Sequence, residues 1–189
     1  MLPLVLALLL VAMPSAKDVA TRYAAAVVVV ERSLASGAVQ KSQGFFVSSS
    51  GVLVTVLPGA KVGDVVSVDD DEGSDDTGVV SAVDEDGLAL VDVKGVVDVA
   101  ALGVSRSGKP STWMIGLSRD HGAVQGALGG LEEDRGARWR LLLPLPRGAP
   151  VLDDNNEVVA VAVKGLGGGQ LEAVTVARVK ALVARLPKS

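Results

Sequence analysis

The chain has 189 residues, 49% of them hydrophobic, and a formal net charge of −4, which gives enough apolar material for a real core and excludes a disordered chain. No basic stripe with interleaved aromatics is present, so nucleic acid is not an expected partner. Cysteine is absent, which excludes disulfides, zinc–thiolate sites, thiol chemistry and a cysteine-linked lipid anchor.

The N-terminus is an apolar run over residues 2–13 that exits through Pro14-Ser15-Ala16. Such a run is too short to span a bilayer, and its small-residue exit is of the export-signal type. Residues 1–16 are therefore expected to be a signal peptide cut after Ala16. That makes the chain exported, periplasmic or secreted, with no stable membrane span once the signal is removed. A short N-terminal anchor or a buried segment is the alternative reading. A helix is expected over residues 17–24, leading into a stretch at residues 24–31 that is nearly all valine and alanine. Gly44-Phe45-Phe46-Val47 and Val52-Leu53-Val54-Thr55 flank the turn Ser48-Ser49-Ser50-Gly51, a hairpin pattern.

Further runs rich in β-branched residues lie at 62–68, 78–83, 88–93, 112–116, 139–143, 157–164 and 171–175, separated by Gly, Asp or Ser clusters. Many short strands with turn chemistry between them, and no helical segment long enough for a crossover, predict an all-β barrel or sandwich. One amphipathic helix is predicted over 176–186, with Val179, Leu182, Val183 and Leu186 at helical spacing and Thr175 as its N-cap. The acidic run at 69–76 lacks the alternate-acid spacing of a calcium loop and reads as a solvated hairpin tip. Gly165-Leu166-Gly167-Gly168-Gly169 is followed by no Lys-Ser/Thr pair and reads as a loop. No metal or cofactor is expected.

Three segments carry a family resemblance. The first is Gly44-Phe45-Phe46-Val47-Ser48-Ser49-Ser50-Gly51-Val52-Leu53-Val54-Thr55-Val56-Leu57-Pro58, and the second is Ala82-Val83-Asp84-Glu85-Asp86-Gly87-Leu88-Ala89-Leu90-Val91. The third is Leu143-Pro144-Leu145-Pro146-Arg147-Gly148-Ala149-Pro150-Val151-Leu152, continuing into Glu157-Val158-Val159. Together they resemble trypsin-like serine proteases of the Deg (HtrA) type. The resemblance implies two packed six-stranded Greek-key β-barrels with a C-terminal helix, residues 17–100 forming the first half and 101–189 the second. The peptide-reading module that many such relatives carry is expected to be absent.

The resemblance also implies what has been lost. Pro58 stands at the position of the catalytic histidine, Gly87 at that of the aspartate and Arg147 at that of the nucleophilic serine, while Leu145 replaces a glycine of the oxyanion hole. Proline offers no base, glycine cannot orient one, and arginine stays protonated. A degenerate, non-catalytic domain is therefore expected. Asp86 is the alternative acid, and Ser118-Arg119-Asp120-His121 and Ser107-Gly108-Lys109-Pro110-Ser111 are the other places where serine and a base lie close in sequence. In this fold a peptide pairs with an exposed strand edge in the cleft between barrels, which here is Val161-Ala162-Val163-Lys164-Gly165. Arg147 on the cleft floor either grips a carboxylate of a peptide or protein partner or points into solvent. An active hydrolase with a rearranged site and an inert structural domain are the competing expectations.

Overall fold

The computed structural model describes residues 15–69, 75–95, 100–120 and 123–185. Six strands, β1 (Val27–Ser33), β2 (Val39–Phe46), β3 (Val52–Val56), β4 (Val65–Asp69), β5 (Asp75–Val83) and β6 (Leu88–Val93), close into an antiparallel barrel in the order β1-β2-β3-β6-β5-β4. Six more, β7 (Met114–Asp120), β8 (Ala123–Asp134), β9 (Arg138–Leu142), β10 (Pro150–Leu152), β11 (Val158–Gly167) and β12 (Gln170–Thr175), close a second in the order β10-β11-β12-β9-β8-β7. Pairing of Val30 with Val68 seals the first barrel, and pairing of Ile115 with Leu152 seals the second. These are the two Greek-key barrels expected.

The valine run has a simple cause in this architecture. Val28 and Val30 point into the first barrel with Phe46, Leu53, Val66 and Val91. Val27, on the opposite face of β1, joins Phe45, Val54 and Leu90 in a core shared with Leu117, Leu152, Val161 and Val174 of the second barrel. Strands buried on both faces have no polar positions to alternate with. A third cluster, including Met114, Trp139, Leu141, Val159 and Leu171, fills the second barrel.

Helix α1 (Ala16–Arg22) precedes the first barrel in sequence yet lies on β8 of the second. Ser15 caps it, accepting the Asp18 amide at 3.2 Å. Helix α2 (Val176–Val183) returns across the molecule and touches β5 and β6 as well as β11 and β12, burying Val176, Val179 and Leu182 in the shared core.

Several expectations need correction. β8 was not anticipated, because Gly126, Gly129 and Gly130 give it poor strand propensity; pairing with both β7 and β9 overrides that preference. β4 starts at Val65 and not at Val62, because a turn at residues 61–64, with Gly63 at φ 93°, comes first. β7 starts at Met114, two residues late. Thr175 stands at the N-cap of α2 but makes no side-chain capping bond. β11 runs on to Gly167, so the expected glycine loop shortens to the Gly168-Gly169 turn of a hairpin. Leu186, the Asp70 to Ser74 part of the acidic run and most of the proposed signal lie outside the described residues.

Candidate functional site

Pro58 and Gly87 lie against each other. The Leu57 amide donates to the Gly87 carbonyl at 2.6 Å. Gly87 is buried at φ 81°, and a Cβ placed on it would stand 2.7 Å from Pro58 Cα and 2.8 Å from the Leu57 carbonyl carbon. Only glycine fits this contact. The Pro58 carbonyl accepts from Arg32 Nη2 at 3.0 Å and from Gln40 Nε2 at 3.3 Å. Arg32 in turn donates to Asp64 at 2.8 Å. The Lys61 amide, followed by Arg32, holds the Asp64 carboxyl below its ordinary value in spite of partial desolvation.

The nucleophile-position loop is fastened on both sides. The Gln43 amide donates to the Arg147 carbonyl at 2.8 Å, and Ser42 Oγ donates to the same oxygen at 3.2 Å. The Gly148 amide donates to the Ala162 carbonyl at 2.8 Å, while the Ala162 amide donates to Ala149 at 2.9 Å. Gly148 has φ 82°, and a Cβ on it would overlap the Gln43 carbonyl. Leu145 is turned into the second barrel, where its side chain occupies the room left by Gly116.

Arg147 is exposed, and its Nε donates to the Val163 carbonyl at 3.2 Å. It makes no ion pair among the described residues. The guanidinium thus lies along the strand edge and covers one of its acceptors. Val161 and Ala162 are fully buried and paired with β10, β12 and the loop. That shortens the expected edge to Val163, Lys164 and Gly165, the last two exposed.

Asp86 is committed elsewhere. Its two carboxylate oxygens accept from Arg138 of β9 and Arg178 of α2, and Arg178 also donates to Asp84 at 2.7 Å. Burial alone would push the Asp86 carboxyl up, but the Arg138 and Arg178 guanidiniums outweigh it and hold the group below the ordinary carboxylate range. Arg138 also pairs with Glu172. Ser118 and Arg119 are consecutive in β7 and face opposite sides of the sheet; His121 lies outside the described residues. Ser107 and Lys109 are exposed, so that lysine is not desolvated as a general base would have to be.

Between β2 and the loop lies a cavity of about 210 Å3 lined by Lys41, Ser42, Gln43, Arg119, Pro146 and Arg147, together with Val29. Three cations and no carboxylate line it. Arg119 is buried and donates to the Val27 and Ala24 carbonyls, and its own carbonyl accepts from Gln43 Nε2 at 2.6 Å. Lys41 is exposed and pairs with Glu31. The sequence reading missed Lys41, Gln43 and Arg119. The first two stand immediately before the Gly44 segment, but nothing local says that β2 abuts the loop of residues 143–150.

No protein-family model matches this chain, and no curated protein matches it. Among solved structures it is similar to a human pathogenic astrovirus serine protease, with a TM-score of 0.64 and 22% sequence identity over 80% of this chain and 89% of that one. The Cα trace, the two closed barrels and the terminal helix together give this chain the trypsin-like serine protease fold.

Proposed function

We propose that the chain is an exported pseudoprotease of the Deg type that binds a peptide or protein partner in the former substrate cleft. The observation that carries this reading is the pairing of Arg147, without an acid partner among the described residues, with a cavity lined by Lys41 and Arg119. Arg147 adds a cation beside Lys41, which is paired with Glu31, and Arg119, and a guanidinium suits a carboxylate because it can offer two parallel donors. A peptide carboxylate that draws Arg147 away also releases the Val163 carbonyl, an acceptor for the peptide main chain.

Hydrolysis finds no support in the arrangement: Pro58 supplies no base, Gly87 has no room for a carboxylate, and Arg147 is no nucleophile. Selection of peptides on the purified chain, repeated on Arg147→Ser and Arg147→Glu, tests the reading. Enriched peptides should share a carboxylate at the C-terminus or on a side chain and should be lost in the Glu variant. Absence of enrichment would favour an inert structural domain, and labelling by a fluorophosphonate would favour an active hydrolase.

A further inference from the structure

A second pocket, of about 360 Å3, opens on the outer side of the second barrel, away from the residues discussed above. Its floor is apolar and built by strand register. Ile115 of β7 is paired on one side with Leu128 of β8 and on the other with Leu152 of β10, and Trp113, in the bend just before β7, lines the pocket with them. Trp113 and Leu128 are 58% and 60% exposed, an unusual investment of large apolar area in water. The wall exists because Gly126 carries no side chain: a Cβ there would overlap the Ala16 carbonyl, so glycine lets α1 settle on β8 and bring Ser15 to the pocket edge.

The other end of the pocket is acidic. The turn after β10 places Asp153, Asp154 and Asn156 there. Asp153 is already spent, accepting from the Asn155 amide at 2.9 Å, the Glu157 amide at 3.0 Å and Ser105 Oγ at 3.3 Å. Asp154 is exposed, and its one described contact is the Asn155 side-chain amide at 3.3 Å. Asn156 is held in the left-handed region at φ 59°, and its buried Oδ1 has no donor among the described residues. No lysine or arginine lines this pocket among the described residues. From Leu128 on β8 to the end of β10 is two strand spacings, roughly 10 Å.

We propose that this pocket binds a ligand with an apolar, preferably aromatic, body and a single cationic end, the ring resting on Trp113, Ile115 and Leu128 and the ammonium facing Asp154 and Asn156. The volume lies within the ordinary range of small-ligand pockets, about 300–1,000 Å3. Asp154 has a single described donor and Asn156 Oδ1 has none, so the acidic end keeps acceptor capacity for a cation.

The test is tryptophan emission of the full-length chain. Trp139 is buried inside the second barrel, so an added ligand reports through Trp113. Phenethylamine, protonated at neutral pH, should shift the emission saturably, whereas 3-phenylpropionate at equal concentration should not. Asp154→Asn, which keeps shape and removes charge, should weaken phenethylamine by about threefold to fivefold and leave the circular dichroism spectrum unchanged. N-acetyl-Phe-Lys amide, whose one cation is the lysine ammonium, tells a polypeptide source from a small amine, according to which of the two binds more tightly. Equal binding of the amine and the acid, or no saturable shift with either, overturns the proposal.

Discussion

Asp86 offers the sharpest test of how the barrels are held together. It sits in the turn between β5 and β6, yet its carboxylate is bound by Arg138 of the second barrel and Arg178 of α2. Asp86→Asn keeps the shape and removes the charge. The side chains of Asp86 and Arg178 are 18% and 19% exposed and that of Arg138 is 38% exposed. The network therefore lies between an exposed pair, at about 0.2–1 kcal/mol, and a buried pair broken on one side, at about 3–5 kcal/mol. A loss of roughly 1–3 kcal/mol at pH 7 follows. For a domain of this size, that lowers the melting temperature by about 3–10 °C. The pH dependence gives the sign. Arg138 and Arg178 depress the folded carboxyl, so its stabilisation is fully present above the unfolded value of about 3.9 and is lost as pH falls through the lower folded value. Thermal unfolding of both proteins by circular dichroism should show the gap at pH 7 and its closure as pH falls through the lowered folded value. Equal melting temperatures at pH 7, or a gap that stays constant down to the lowest pH, would refute the clamp.

Gly148→Ala should destabilise the chain by at least about 2 kcal/mol, because the left-handed backbone disfavours a side chain and the added carbon meets the Gln43 carbonyl; a urea midpoint measures it, and a change below about 0.5 kcal/mol would count against the fastened loop. Arg147→Ser should remain unlabelled by a fluorophosphonate, and so should Pro58→His, Gly87→Asp and Arg147→Ser combined, since residue 87 has no room for a side chain directed at residue 58. Ser15→Ala should remove about 1 kcal/mol of capping from α1, seen as faster amide hydrogen exchange in Ala16–Arg22 with the barrels unaffected. Sequencing the N-terminus of the chain recovered from cells complements that result: a cut after Ala16 would remove the cap and the carbonyl that rests on Gly126.

The alternation of short β-branched runs with Gly and Asp clusters sufficed to place most strands, because burial on two faces demands apolar side chains along Val27–Val30, β3, β6 and Val158–Ala162. The same local chemistry identified both helices and the Ser48 to Gly51 hairpin. Pro58, Gly87 and Arg147 stood out only through the resemblance of their segments to trypsin-like proteases of the Deg type. What local chemistry could not supply was anything that depends on two distant segments meeting. β8 has weak strand preference and exists because β7 and β9 flank it. Gly87 reads as an ordinary turn glycine until Pro58 is found against it, and Gly148 until Gln43 is. The partners of Asp86 lie 52 and 92 residues away in sequence, so no spacing rule reaches them. The basic cavity gathers Lys41, Arg119 and Arg147 from three segments, and the apolar pocket needs the β7–β8 and β7–β10 registers together. Residue identity set which groups prefer water and which do not; closure of the two barrels decided which of them stand side by side.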